Sequence, residues 1–197
     1  MKKIKITIIL LLLTVAINAQ SPIIDIEEYS FRNSVENAYY KDIHNYFDPF
    51  MGTWLYTNGS ESFKIVLTKE LMLYTGKFYT DYITGEYHYT DGGSIDVNTL
   101  SNTDPYKHGI HGSFLINNNG RPVCNDCVPG EKRLLLSISD RERHLGGSFT
   151  LQLITVNGQP AIKGFIYGDG APAYEQSNPP PYTEMQIPTG TFIFIKQ

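Results

Sequence analysis

Cysteine, tryptophan and charge are all scarce in this sequence: its 197 residues hold two Cys, one Trp and 18% charged side chains. Two cysteines cannot make the dense cross-linking that stands in for a core in small secreted scaffolds. Basic residues are the minority, 16 Lys and Arg against 20 Asp and Glu, which excludes the excess of positive charge that holds phosphate backbones. The densest basic run, Arg141-Glu142-Arg143-His144, follows Asp140 and carries its own acid, so it reads as a solvated turn. The same deficit argues against adhesion to anionic lipid. Also missing are a Gly-x-Ser-x-Gly elbow, a His-Glu-x-x-His pair, a glycine-rich phosphate cradle before a helix and a calcium loop of alternating acids. What is there, 41% hydrophobic and 13% aromatic residues with 17 Gly and 11 Pro, is the composition of one globular domain.

Long apolar runs are absent with one exception. Lys2, Lys3 and Lys5 precede an apolar run from Ile6 to Ile17 that ends at Asn18-Ala19-Gln20-Ser21-Pro22, a pattern that predicts a secretory signal peptide over 1–19, cleaved after Ala19. The run is shorter than the roughly 20 residues a membrane-spanning helix needs. Cleavage is therefore expected over an uncleaved anchor, with no stable membrane insertion afterwards. No cysteine near the cut offers a lipid anchor. Removal of the three lysines leaves 13 basic side chains against 20 acidic ones, a net charge of −7. These features predict a secreted or periplasmic protein kept dispersed by its charge.

From Trp54 onward apolar residues alternate with period two, and turn signals recur about every 8 to 12 residues, which is how an antiparallel barrel or sandwich reads. Gly52–Tyr56 runs into Asn58-Gly59, a hairpin signal, and Phe63–Leu67 returns. Leu71–Tyr82 reads as the next strand, followed by a turn at Thr84-Gly85, then Tyr87–Tyr89 and Ile95–Leu100. Ile110–Ile116, Arg133–Ser139, Gly147–Val156, a turn at Asn157-Gly158, Ala161–Tyr167 and Thr191–Lys196 complete about nine or ten strands. Ahead of them Asn33 is a candidate cap with Glu36 three residues on. Val35, Tyr39, Ile43, Tyr46 and Phe47 share one face at spacings of three and four, which predicts a short amphipathic helix ending at Asp48-Pro49. The expected organisation is signal peptide 1–19, an extension with this helix over 20–49, and an antiparallel β-barrel over 50–197. Ala171–Pro188 is Pro-rich and aperiodic, and a loop of that length is the first place to look for a partner site. Its Pro179-Pro180-Pro181-Tyr182 reads as a polyproline segment.

Phe50-Met51-Gly52-Thr53-Trp54 resembles the Gly-x-Trp first strand of the lipocalin and fatty-acid-binding (calycin) barrels, in which the tryptophan closes one end. The resemblance implies structural roles for Gly52 and Trp54. Together with the Asn-Gly hairpin and the later Cys-x-x-Cys, these residues are also similar to an uncharacterised family of small secreted bacterial proteins with no assigned activity. The departures are specific. Thr80-Asp81-Tyr82 comes too soon after Trp54 to match the downstream lipocalin motif, and the last strand, Phe192–Lys196, lacks the Arg-x-Tyr that holds a fatty-acid carboxylate. The barrel is implied; its usual ligand is not.

Cys124-Asn125-Asp126-Cys127 lies in a polar loop of a chain read as exported, which favours a disulfide stapling the loop. Two alternatives stay open: a zinc site completed by His108 and His111, and a reduced or redox-active pair. Residues three apart point to opposite faces of a strand, so both histidines could ligate one ion only from irregular backbone. No metal or cofactor is expected. Glu86 and His88 share a strand face and could make an acid/base pair. Tyr74, Tyr79, Tyr82, Tyr87, Tyr89, Tyr106, Tyr167, Tyr174 and Tyr182 suit a core, a pocket or an interface alike.

The leading expectation is a non-enzymatic exported binding protein. It would hold a small apolar ligand in the barrel or dock a surface partner through Ala171–Pro188. The alternatives are a structural envelope or surface component without a pocket, and a hydrolase or isomerase in which Glu86, His88 or Asp81 converge. The state of the barrel interior separates them.

Overall fold

A single long strand, Tyr79–Thr90, organises the molecule. In the computed structural model, which describes residues 21–170 and 177–197, eleven strands form one sheet: β1 (Ile23–Asp25), β2 (Tyr39–Lys41), β3 (Gly52–Asn58), β4 (Glu61–Tyr74), β5 (Tyr79–Thr90), β6 (Asp96–Asn98), β7 (Ile110–Ile116), β8 (Arg133–Asp140), β9 (Leu145–Val156), β10 (Gln159–Gly168) and β11 (Gly190–Lys196). Eight of them run β5-β4-β3-β11-β10-β9-β8-β7, and β7 pairs back onto β5, so the sheet closes into an antiparallel barrel. The expected signal peptide, and the start of the Ala171–Pro188 loop with Tyr174, lie outside the described residues.

One edge of β5 is shared by three partners in series. Tyr79 and Thr80 pair with β2 in parallel, Ile83 to Gly85 with β7, and His88 to Thr90 with β6. β1 extends β2, again in parallel.

An eight-stranded barrel is just wide enough for side chains to fill it, and here they do. Trp54, Phe63, Ile65, Leu67, Ile83, Tyr87, Leu134, Leu136, Phe149, Leu151 and Phe194 are all essentially inaccessible. Phe63 packs edge-on against Tyr87, Tyr89, Phe192 and Phe194, the arrangement that aromatic quadrupoles favour. Close packing needs glycine at two strand positions. A Cβ on Gly164 would lie 2.7 Å from the Phe149 ring, and one on Gly85 would lie 2.7 Å from both Leu67 and the Val66 carbonyl. Trp54 donates from Nε1 to the Phe50 carbonyl at 2.8 Å, and Lys196 lies over its ring.

Most strands fall where alternation places them, and the Asn157-Gly158 turn has both residues at positive φ, 50° and 80°, the mirror-image geometry that suits a two-residue hairpin. Two expectations are corrected. Thr84-Gly85 is not a turn: β5 runs straight through it, and the reversal after β4 comes at residues 75–78. The expected Val35–Phe47 helix does not form. In its place are β2 and three-residue 3₁₀ turns at Phe31–Asn33 and Asp48–Phe50, with a third at Ile26–Glu28. Asn37 and Asn45 have φ of 58° and 56°, which no α-helix accommodates, and Val35 and Ile43 are exposed. Pairing of Tyr39 and Tyr40 with the free edge of β5 satisfies backbone groups that a short isolated helix would have left weakly supported.

Candidate functional site

The three acid/base candidates do not converge. Asp81 is buried and structural: its carboxylate accepts the Tyr39 hydroxyl and the N–H groups of Asp42 and Met72. His88 faces outward onto Asp96, 2.7 Å away. Glu86 shares its strand face but contacts other groups. One oxygen accepts from the Asn102 amide at 2.6 Å and lies 3.1 Å from His108 Nδ1, and the other accepts the Gly109 N–H at 3.2 Å. Glu86 therefore gathers the 99–109 connection against the outside of the barrel.

That connection makes one wall of a cleft of about 500 Å³. Tyr106, Lys107 and His108 stand on it; Leu73, Tyr74 and Thr75 at the end of β4 stand opposite; Tyr82, Thr84 and His111 rise from the outer faces of β5 and β7, with Glu70 and Arg141 beside them. Glu70 accepts the Thr84 hydroxyl at 3.0 Å and lies 3.8 Å from His108 Nε2, while Arg141 approaches Glu86 at 4.0 Å. Charges of both signs are thus present and largely balanced. Burial pushes the His111 pKa below its ordinary value, against the pull of the His108 carbonyl. Its Nδ1 and one Arg141 nitrogen are buried without a hydrogen bond among the described residues. Burial, with the neighbouring Tyr29 and Glu70, raises the Tyr82 phenol.

Past Tyr82 and His111 lies a second cleft, of about 660 Å³. A one-residue bulge in β7, where His111 pairs with Ser137 but Phe114 with Leu135, creates part of it. Without the bulge Phe114 would alternate inward like Ile110; the extra residue turns it to the outer face. Phe114, Tyr29 and Phe31 supply aromatic surface, and Thr80, Ser113, Ser137 and Ser148 supply hydroxyls. The two clefts share Thr75, Tyr82 and His111.

Elsewhere, Cys124 and Cys127 are bonded to each other in a loop laid over the outer face of β8 to β11, where Arg133, Thr150, Gln152 and Lys163 surround it. The cysteines are joined to one another and not to His108, just before β7, or His111, within it. Among the described residues no three His, Cys, Asp or Glu side chains gather as metal ligands. The expected partner loop is tied down from Tyr182 onward. Asp140 accepts the Gln186 N–H, Arg143 donates to the Glu184 carbonyl and covers the Tyr182 ring, and Ile187 is buried.

Tyr74, Tyr82, Tyr106, His108 and His111 stand out in the sequence, but their convergence does not. In the sequence Tyr82 reads as the end of a strand, Thr84 as part of a turn and His111 as a possible zinc ligand, and the bulge that exposes Phe114 has Gly112 as its only sequence signal. No helix among the described residues is long and apolar enough to cross a membrane. No curated protein and no solved structure matches the chain. A family model matches residues 1–197 throughout, and the chain belongs to that family, a family of unknown function (DUF6705).

Proposed function

We propose that this is an exported bacterial binding module, not an enzyme, whose small ligand lies on the outside of the barrel across the two clefts that meet at Tyr82 and His111. The observation that carries this reading is the contrast between inside and outside. The space a lipocalin-like barrel would offer an apolar ligand is occupied by Phe63, Tyr87, Phe149 and Phe194, whereas each outer cleft lies within the roughly 300–1,000 Å³ of small-molecule sites. A filled interior alone would fit a structural envelope component; two joined ligand-sized clefts favour binding.

Catalysis has less support. Both Glu86 oxygens are engaged, and the ring nitrogen of His108 not facing Glu86 is 3.2 Å from the Pro105 carbonyl, so neither group presents a free atom to a substrate. Export is supported by the charged and apolar pattern of residues 1–19 and by the disulfide, which persists in oxidising compartments.

The test is native mass spectrometry of the protein purified from its own host, with N-terminal sequencing, for the natural chain and for Ser137→Trp. Ser137 is exposed on the cleft floor, so an indole there fills the cleft without entering the core. The expected result is a mature chain starting at Gln20 with a retained small molecule that Ser137→Trp lacks. A natural chain free of any bound mass, with unchanged stability in host extract, overturns the reading.

A further inference from the structure

We infer that the ligand of the joined clefts is a neutral oligosaccharide of at least two linked rings. The inference rests on the binding reading above and names its ligand class. Aromatic faces come first. Tyr106 is 91% exposed, Phe31 80% and Tyr74 53%, and they stand along the walls of the two clefts. Leaving such rings bare forgoes favourable burial of apolar area, so their clustering at one place marks a surface that something covers. A sugar ring matches it: its C–H faces are apolar and its rim carries hydroxyls, the same division that tyrosine has.

Charge narrows the choice. The first cleft carries Glu70 with Glu86 behind it, against Lys107 and Arg141, so a ligand with net charge would meet its own sign on one side. Hydroxyls donate to carboxylates and accept from guanidinium, ammonium and imidazole N–H groups, and a polyhydroxylated neutral molecule uses both. The second cleft has no acids and one cation, Lys77, which donates to the Ser34 hydroxyl at 3.0 Å, and its floor offers the hydroxyls of Ser113, Ser137 and Ser148. A wholly apolar lipid would cover the Ser137 and Ser148 hydroxyls without offering them a partner. A peptide would seek an open strand edge; that of β5 is taken by β2, β7 and β6 in turn, and β7 leaves only residues 113–116 without a ladder partner on its β5 side. The broader open surface is the face of the sheet, suited to a ligand that brings its own hydrogen-bonding rim. One ring would fill one cleft only. Because Thr75, Tyr82 and His111 belong to both, linked rings can pass over them.

The experiment uses the full mature chain and amide NMR titrations with neutral hexasaccharides of β-linked glucose, α-linked glucose, xylose and N-acetylglucosamine. The matching monosaccharides, an oligogalacturonate and palmitate serve as comparisons. The expected result is binding of a neutral hexasaccharide with shifts at Thr75, Tyr82 and Gly112, weakening of more than tenfold for its monosaccharide, and loss in Ser137→Trp. Tyr106→Ala, at a side chain with no packing role, should weaken binding by up to about tenfold, the size of one aromatic contact. Binding of the oligogalacturonate or palmitate alone, or of nothing in the panel, overturns the inference. If the molecule retained from the host is still lost in Ser137→Trp while no neutral saccharide binds, the glycan assignment falls and the cleft reading stands. If neither is seen, both fall.

Discussion

Asp81 holds Asp42: its buried carboxylate accepts the Asp42 N–H at 2.9 Å, and the Asp42 carboxylate in turn accepts the N–H groups of Tyr46 and Phe47. Two carboxylates in sequence thus fasten the 39–50 segment to the barrel. The second is neutralised by Lys69, 2.9 Å away, which also reaches Asp48 at 2.8 Å. This relay replaces the expected helix, and it brings the N-terminal segment to the wall of the second cleft.

Removing Asp42 should therefore undo more than one contact. Asp42→Ala leaves two backbone donors and the largely buried Lys69 ammonium without their partner, and unpaired buried groups cost about 1–3 kcal/mol each, more when charged. The expected loss is about 3–5 kcal/mol in urea unfolding. Asp48→Ala, at an exposed side chain, should cost about 1 kcal/mol or less. Equal effects would mean that the relay is not what holds the segment.

Stability should fall steeply in alkali. Burial raises Tyr39, Tyr87 and Tyr89, helped at Tyr39 by Asp81 and at Tyr89, pushed up to about 12, by Glu61. Burial works against the Lys69 charge, but Asp48 and Asp42 outweigh it and its pKa also ends raised. All four bind their protons more tightly folded than unfolded. Their contribution is complete below the ordinary values of 10 and 10.5 and is lost as pH climbs through the raised ones. Unfolding free energies measured from about pH 9 to 12 should drop, and Tyr89→Phe, although less stable at neutral pH, should show a shallower slope.

His111 predicts a smaller effect in acid. Its pKa is lowered by burial, so the unfolded chain takes up the proton first. Stability from this group is complete above its ordinary 6.5 and is lost as pH falls through the lowered value. His111→Gln should flatten the stability profile between about pH 7 and 5 relative to the natural chain. A parallel profile would place the acid sensitivity entirely on carboxylates.

The second half of the barrel is legible because large residues alternate through β8, β9 and β11 and Asn157-Gly158 marks its own turn. The first half misleads for a local reason. Gly85 resembles a breaker, but its job is to let Leu67 and the Val66 carbonyl come close, a demand visible only once β4 and β5 are paired. The apolar spacing in 35–47 imitates a helix, but its members do different things: Tyr39 pairs with the edge of β5, Phe47 is buried at the Asp42 turn, and Val35 and Ile43 are exposed. The clefts leave the least trace in the sequence. His108 and His111 do reach one place, but the loop carries one and the strand the other, and the carboxylates near them, Glu70 and Glu86, come from two strands distant in sequence.

The final prediction separates two supports of the disulfide loop. Arg133, buried beneath it, donates to the carbonyls of Pro122, Asn117 and Gly120 at 2.8, 2.8 and 3.1 Å, so one guanidinium gathers three backbone acceptors. The Cys124–Cys127 ring is small, and its entropic contribution must lie below the roughly 3 kcal/mol of a fifteen-residue loop. Replacing both cysteines with Ser should speed hydrogen exchange between residues 118 and 130 while leaving the unfolding transition of the barrel nearly in place, because its core is built from Phe63, Phe149 and their neighbours. Arg133→Met keeps the disulfide but strips three carbonyls of their charged donor. It should free the whole 117–131 loop to exchange and to proteolysis, and cost about 2–4 kcal/mol. If the double Ser variant loosened the loop more than Arg133→Met, the cross-link and not the arginine would be its main support.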